Sequence, residues 1–233
     1  DNSRFGTFDT YRGTLAYALG ALKLRASYGT GAKAPGLYQL FDPTYGNPDL
    51  EVETSRGGDV GFDLALAEGL TAQVSYFFTR KTNEINFDGS RPGYSQFGRT
   101  RAEGIEVGVT AQPLPWLGVS QTYGYTDHEL DSDMDGTYVN SGRPRYTGTT
   151  SVILTPAERA SMTARVRYHD GDSSGFGGAT EAYTVVDLLA SYGITDRVEL
   201  YGRVINLFDK WYQVSYGTQT LGLSAYGGVR LSF

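Results

Sequence analysis

The chain has 233 residues, no cysteine, 31 glycines and a formal net charge of −6 at pH 7. The acidic balance argues against a nucleic-acid-binding surface. The mean hydropathy of −0.34 argues against a continuous apolar helix of about 20 residues, which a helical membrane span requires.

Eleven segments have the pattern of β-strands and are separated by turn-forming residues. In chain order they cover residues 9–19, 21–30, 53–66, 69–86, 94–112, 116–128, 143–155, 160–170, 180–193, 197–208 and 219–233. Short connections alternate with long ones, and the long ones are rich in Gly, Asp, Asn, Pro and Tyr. This layout is typical of an outer-membrane barrel, which has short periplasmic turns and long extracellular loops.

The last predicted strand has the alternation of a strand that crosses a membrane. Every second residue from Leu221 to Phe233 is apolar or small, whereas Ser224, Tyr226 and Arg230 occupy positions between them. A tilted membrane strand needs about 9–11 such residues. The soluble alternative is the edge strand of a large sandwich, but the pattern recurs along the whole chain. We therefore predict an all-β fold, a transmembrane antiparallel β-barrel of about 11 strands.

The alternation also predicts the facing of individual side chains. In the fourth predicted strand, Val74 faces lipid and Gln73 faces the lumen. Because Arg or Lys at the lipid-facing midplane costs about 2–4 kcal/mol, six charged residues of the predicted strands are predicted to be lumenal. These are Glu106, Arg165, Arg167, Asp187, Arg203 and Arg230.

The odd strand number needs an explanation. Bacterial single-chain barrels have even strand numbers, and an open sheet in lipid leaves unpaired backbone groups at its edges. The sequence therefore predicts either a miscounted strand or a segment of a larger barrel.

Four segments resemble the TonB-dependent outer-membrane receptors. Residues 45–53 read Tyr-Gly-Asn-Pro-Asp-Leu-Glu-Val-Glu and resemble the family's Gly-Asn-Pro-x-Leu-x-x-Glu loop. Residues 28–41 are similar to a strand-to-loop segment in which Ala32 and Lys33 replace the usual aromatic residue and Arg. Residues 101–106 resemble a Gly-hydrophobic-Glu strand, and residues 206–212 resemble the Asn-Leu-Phe-Asp-x-x-Tyr motif before the final strand.

The resemblance implies a barrel of about 22 strands around a plug, with a TonB box near the N-terminus. Residues 1–233 then correspond to the C-terminal half of that barrel domain, without the plug. The implied function is import of a scarce, large nutrient, a ferric siderophore or cobalamin, across the Gram-negative outer membrane. The implied protein is not an enzyme and has no cofactor.

The resemblance also implies partners. The TonB complex would supply energy through the absent N-terminal region, outer-membrane lipid would surround the barrel, and Phe233 would be the signal to the barrel-assembly machinery. Residues 216–220 are more similar to the cobalamin-type receptors.

Aromatic residues in or beside the long loops are the predicted ligand-binding residues, because loops on a rigid scaffold commonly carry binding. They are Tyr38, Phe41, Tyr45, Phe87, Tyr94, Tyr138, Phe176, Trp211 and Tyr216. The alternative role of these residues is packing within the loops or in the interfacial aromatic girdle.

A calcium loop is a separate hypothesis. Asp131, Asp133 and Asp135 precede Gly136 in the Asp-x-Asp-x-Asp-Gly pattern of such a loop. Gly142 stands where an EF-hand has Glu. The alternative is a solvated acidic loop.

Two Asp-His neighbours suggest a different class of function. Asp127-His128 and His169-Asp170 lie at predicted strand ends, where a barrel hydrolase would hold its catalytic groups. Residues 171–175 read Gly-Asp-Ser-Ser-Gly, but they lie in a predicted long loop and not in the strand-to-helix turn that a Gly-x-Ser-x-Gly nucleophile requires. A small autonomous barrel, either a hydrolase or a diffusion channel, is therefore the alternative function.

Overall fold

A computed structural model describes residues 4–88, 93–131, 135–173 and 178–233. The strands are β1 (Arg12–Leu19), β2 (Leu22–Lys33), β3 (Glu53–Ala67), β4 (Leu70–Asp88), β5 (Gly93–Leu114), β6 (Leu117–Asp131), β7 (Val139–Asn140), β8 (Tyr146–Ala157), β9 (Ala160–His169), β10 (Tyr183–Gly193), β11 (Val198–Ile205) and β12 (Ser224–Leu231). One short helix, α1, covers Leu37–Phe41. None of the helical residues in these ranges belongs to a helix long and apolar enough to cross a membrane.

Neighbouring strands in the sequence are neighbours in the sheet. The order is β1-β2-β3-β4-β5-β6-β8-β9-β10-β11-β12, and the two-residue β7 pairs with β6. All eleven predicted strands are present with shifted ends, whereas β7 and α1 were not predicted. Over the described residues β1 and β12 are the two ends of this order, so the sheet is not closed. An open sheet is what the odd strand number predicts for part of a larger barrel.

The chain forms two compact units. The first comprises Asp1–Phe62, Ser75–Ile105 and Thr126–Arg143, and the second comprises Asp63–Val74, Glu106–Tyr125 and Pro144–Phe233. In the first unit, Leu40, Leu50 and Ile85 form a buried cluster, against which Phe5 and Tyr94 pack. This small core joins the segment between β2 and β3 to the end of β4, where Ile85 lies, and to the start of β5, where Tyr94 lies.

In the second unit, the pairing register confirms one apolar face. Val152 pairs with Ala164, Ala164 with Leu188, and Leu188 with Val204. Val204 pairs in turn with Ala225 of β12. Because directly paired residues share a face, these five side chains form one apolar row across five strands. We call the face with such a row the outer face.

The opposite face of this unit is polar, as predicted for the lumen. Arg165 pairs with Asp187, and Glu199 pairs with Arg230. The Arg203 guanidinium lies 4.5 Å from the ring centroid of Tyr226, which is its direct cross-strand partner. The alternation therefore assigned the facing of these strands correctly.

One polar pair interrupts the outer face. Gln121 and Thr150 pair between β6 and β8, and the Thr150 hydroxyl donates a hydrogen bond to the Gln121 amide oxygen. The Gln121 amide nitrogen donates to the carbonyl of Thr122 at 3.0 Å. Polar groups in lipid must be satisfied within the protein, and this pair meets that requirement.

The predicted start of the last strand is wrong. β12 begins at Ser224, and two of the three preceding residues are bound by loop side chains. The Leu221 carbonyl accepts a hydrogen bond from the Asn206 side chain at 3.4 Å, and the Leu223 N–H donates to Asp209 Oδ1 at 2.7 Å. These backbone groups are therefore held by the loop, and the regular ladder with β11 begins only at Ser224.

Candidate ligand-binding site

The long segment between β2 and β3 folds around Asp42 and Gly46. Asp42 Oδ1 accepts hydrogen bonds from the N–H groups of Thr44 and Tyr45 at 3.0 and 2.8 Å. The Asp42 carbonyl accepts from the Gly46 N–H at 2.9 Å. A Cβ at residue 46 would lie 2.6 Å from the nitrogen and the oxygen of Asp42, so only glycine fits this turn. The turn fixes the position of Tyr45.

Long-range hydrogen bonds attach this segment to β5. The Tyr94 N–H donates to the Tyr45 carbonyl at 2.9 Å, and Asn47 Nδ2 donates to the Tyr94 carbonyl at 3.1 Å. The Gln96 side chain binds both backbone groups of Glu51, accepting from its N–H at 3.0 Å and donating to its carbonyl at 2.8 Å. Sequence analysis missed Gln96, because its partner is 45 residues away and no local pattern marks it.

Four of the predicted aromatic residues, Tyr38, Tyr45, Phe87 and Tyr94, come together in what we call the loop aromatic cluster. Ring centroids are 6.0 Å apart for Tyr38–Tyr94, 5.7 Å for Phe87–Tyr94 and 5.5 Å for Tyr45–Phe87. Interplanar angles of 84°, 87° and 67° make all three contacts edge-to-face, a geometry that contributes about 0.5–1.5 kcal/mol per pair. Tyr38 is 58% exposed and Phe87 is 44% exposed, so the rings offer a contact surface to solvent.

The phenol of Tyr38 is influenced by the neighbouring Asp42 carboxylate. Partial desolvation raises the pKa of its phenol above the ordinary value, and the neighbouring Asp42 carboxylate raises it further. The hydroxyl is protonated at neutral pH, as an ordinary tyrosine hydroxyl is. The cluster combines apolar ring edges with a donor, which suits a large ligand that carries polar groups.

The other predicted aromatic residues are not part of this cluster. The Arg4 guanidinium lies 5.4 Å from the Phe41 ring, and the Arg101 guanidinium lies 4.1 Å from the Tyr138 ring. Three further residues are exposed in the second unit: Trp211 (68%), Tyr216 (48%) and the terminal Phe233 (110%). Phe176 lies outside the described residues. The ligand-binding roles of these aromatic residues and the assembly role of Phe233 stay predictions.

The Asn-Leu-Phe-Asp segment forms a buried hydrogen-bond network. Asn206 is fully buried, and its N–H donates to Asp187 Oδ1 at 3.0 Å. The Asn206 side chain donates to the Lys210 carbonyl at 2.8 Å and accepts from the Lys210 N–H at 2.9 Å. Asp187 Oδ2 accepts from Arg167, with an N–O distance of 3.0 Å. These contacts give the segment a structural role, because they join the loop after β11 to the polar face of β10.

The two Asp-His neighbours do not have hydrolase geometry. His128 Nδ1 lies 2.8 Å from the Ser141 hydroxyl, but the Asp127 carboxylate accepts a hydrogen bond from Asn140. His169 Nδ1 contacts the Asp170 backbone carbonyl at 2.8 Å rather than its carboxylate. A hydrolase would require a carboxylate that orients the imidazole.

The predicted calcium residues are only partly described. Asp131 is 1% exposed; its Oδ2 accepts from the Gly136 N–H at 3.1 Å, while its Oδ1 has no hydrogen-bond partner among the described residues. Asp135 is exposed and binds the Thr137 N–H at 2.7 Å. Asp133 lies outside the described residues, and the described ones contain no group of three or more His, Cys, Asp or Glu side chains placed to hold a metal. Calcium binding therefore stays a prediction.

The open antiparallel meander, its apolar outer face and its alternating short and long connections define a segment of an outer-membrane β-barrel. A sequence model described as "TonB dependent receptor-like, beta-barrel" matches residues 1–207, and the chain belongs to that family. The family consists of receptors of the Gram-negative outer membrane rather than enzymes, as the resemblance predicted.

Three known proteins show the extent of the match. The vitamin B12 transporter BtuB of Vibrio vulnificus (strain YJ016) is 30% identical over 226 residues, which cover 94% of this chain and 35% of that protein. The siderophore receptor PirA of Acinetobacter baumannii has a TM-score of 0.80 at 15% identity, covering 99% of this chain and 42% of its own. A mutant of the ferric enterobactin receptor PfeA of Pseudomonas aeruginosa has a TM-score of 0.77 at 21% identity, and the match covers 96% of this chain and 40% of the receptor chain. The chain thus spans less than half the length of each.

Proposed function

We propose that this chain is part of an outer-membrane receptor that binds a scarce, large nutrient and imports it with energy from the TonB complex. The nutrient is cobalamin or a ferric siderophore. Membership of the receptor family supports this proposal, and so does the similarity to a vitamin B12 transporter.

The loop aromatic cluster is the observation that carries the proposal. Its rings are joined by edge-to-face contacts on a segment that is hydrogen-bonded to β5. A rigid aromatic surface gives a large ligand contact area at low entropic cost, because aromatic side chains have few rotatable bonds. Tyr45 is fixed by the Asp42 turn, which favours a preformed binding surface.

Cobalamin is the preferred ligand. The vitamin B12 transporter is similar in sequence at 30% identity, whereas the siderophore receptors match at 15% and 21% and support the fold alone. Cobalamin also presents a broad corrin face with amide side groups, which matches a surface of ring edges and phenol hydroxyls.

The test measures binding and uptake by the full-length protein. Cyanocobalamin and a ferric catecholate siderophore are titrated against the purified receptor, its Tyr45→Ala/Phe87→Ala variant and a Tyr192→Ala control. Tyr192 is exposed near the short-turn end of β10, away from the loops of the second unit. We expect the double variant to bind cobalamin at least about tenfold more weakly, since a buried aromatic contact is a common hot spot. The control should bind as the wild type does.

Energy coupling is tested in cells that express the full-length protein. Uptake of radiolabelled cobalamin should stop when a protonophore collapses the inner-membrane potential, while binding to the cell surface persists. Uptake that continues would support a diffusion channel instead. Unchanged cobalamin binding by the double variant would show that the loop aromatic cluster is not the binding site. It would not contradict the proposed transport function, which the uptake measurement tests separately.

A further inference from the structure

Three arginines lie on the outer face of the first unit, at the end of an apolar row. The outer face of this unit is defined by β1 and β2, where Leu15 pairs with Ala26 and Tyr17 with Leu24. Tyr28 continues this face, and its ring centroid lies 6.3 Å from that of Phe78. β4 therefore presents Phe78 to the lipid side.

The residue pattern then places the arginines. A Cβ at Gly58 would lie 3.3 Å from the Phe78 ring and 3.4 Å from the Tyr28 ring, so Gly58 shares this face. Side chains alternate along a strand, and Arg56 and Arg80 each lie two residues from Gly58 and Phe78, towards the long-loop end. Both arginines therefore face outward.

Arg99 of β5 completes the group. The Tyr76 hydroxyl, on the same face as Phe78, donates to Glu103 at 3.1 Å. Odd-numbered residues of this part of β5 therefore face outward, and Arg99 is among them. A cavity of about 780 Å³ is lined by Arg56, Arg80 and Arg99 together. We call these three residues the outer arginine cluster.

The cluster lacks internal counterions. Among the described residues, no carboxylate lies within ion-pair distance of Arg56, Arg80 or Arg99, whereas Arg101, Arg159, Arg167 and Arg230 each have one. All three are exposed. Asp9 also lines the cavity, and so does Lys81, which is paired with Glu84 at 3.0 Å. The cavity therefore carries a net positive charge on a chain whose net charge is −6.

We propose that the outer arginine cluster binds the phosphate groups of an anionic lipid headgroup in the extracellular leaflet. The planar guanidinium group matches phosphate oxygens in a two-pronged geometry, which makes arginine the preferred residue for phosphate recognition. The cluster lies just beyond the rings of Tyr28 and Phe78, and aromatic residues mark the membrane–water interface. Clustered basic residues at that depth attract anionic headgroups. The proposal rests on the outer-membrane location alone and not on the identity of the imported nutrient.

The experiment uses the full-length receptor in detergent and lipid A as the probe. Native mass spectrometry measures the bound lipid for the wild type, for the triple variant Arg56→Gln/Arg80→Gln/Arg99→Gln, and for a control triple variant Arg165→Gln/Arg203→Gln/Arg230→Gln. The control removes the same charge from the polar face of the second unit. We expect the first triple variant to bind lipid A at least about tenfold more weakly, because charge-assisted hydrogen bonds are the strong ones, and the control to bind normally.

Two further arms identify the recognised chemistry. Dephosphorylated lipid A should bind the wild type as weakly as lipid A binds the triple variant. Inorganic phosphate at the same concentration should not displace the lipid, because it lacks the acyl chains that meet the apolar face. We expect an intermediate loss of lipid A binding in each of three single variants, Arg56→Gln, Arg80→Gln and Arg99→Gln. A single substitution changes the protein least, so such a loss would not be caused by misfolding.

Three outcomes would overturn the proposal. Equal lipid binding by the wild type and the cluster variants would show that the arginines do not bind lipid. Equal loss in both triple variants would show a general charge effect. Equal binding of phosphorylated and dephosphorylated lipid A, or full displacement by inorganic phosphate, would exclude a lipid-phosphate site.

Discussion

Asn206→Ala should destabilise the barrel segment more than an ordinary loop substitution. The change removes the hydrogen bonds of 2.8 and 2.9 Å to the backbone of Lys210 and the longer one of 3.4 Å to the Leu221 carbonyl. A buried backbone group without a partner costs about 1–3 kcal/mol, and because Lys210 is exposed we take the lower value, about 2 kcal/mol for both groups. Alanine at the left-handed φ of 53° adds about 1–2 kcal/mol. The expected loss is therefore about 3–4 kcal/mol.

Two matched variants separate these contributions. Asn83 also has a left-handed φ, 60°, but its side chain makes one exposed hydrogen bond, to Glu51 at 3.0 Å. Asn83→Ala should therefore lose only about 1–2 kcal/mol, mostly from the backbone. Asn206→Gly removes the side chain without the backbone penalty and should lose about 2 kcal/mol.

The assay is guanidinium unfolding of the full-length receptor in detergent, followed by tryptophan fluorescence, with gel mobility of unheated samples as a second probe. An Asn206→Ala variant no less stable than Asn83→Ala would show that the buried side chain of Asn206 adds nothing beyond the backbone effect. Wild-type stability of the Asn206→Gly variant would show that the hydrogen bonds to Lys210 contribute nothing.

Two other predictions address facing and metal binding. Leu188→Arg should reduce the folded yield far more than Leu189→Arg, because Leu188 pairs with Ala164 on the outer face and a charge there costs about 2–4 kcal/mol; equal yields would mean that the faces are wrongly assigned. If Asp131 binds calcium with a Kd of about 1 mM, about 10 mM CaCl₂ should stabilise the wild type by about 1.4 kcal/mol. The same salt should not stabilise the Asp131→Asn variant. Magnesium chloride is the control salt, and equal stabilisation of both proteins by calcium would contradict the site.

The sequence determined the strands and their faces. A period of two places Val229 and Leu231 on one face and Arg230 on the other whatever the rest of the chain does, because successive side chains of a strand point to opposite sides. Turn residues such as Gly20 and Gly69, which adopt φ values of 57° and 70°, mark the short connections just as locally. Strand number and the outer-membrane class followed from these local patterns.

The loops depended on tertiary structure. Four of the predicted aromatic residues meet in one cluster, but nothing in their spacing shows that Tyr45 contacts Phe87 while Tyr138 packs instead against Arg101. These contacts join residues tens of positions apart, and their geometry is set by hydrogen bonds such as those between Gln96 and Glu51.

The ends of strands and the pairing of charges were also decided only by the folded chain. β12 starts late because Asn206 and Asp209 hold the backbone of Leu221 and Leu223. Only the fold shows that Arg56 faces outward and lines a cavity without a carboxylate partner in the described chain. Local periodicity fixes the direction of a side chain, whereas its partners come from distant strands that the register brings beside it.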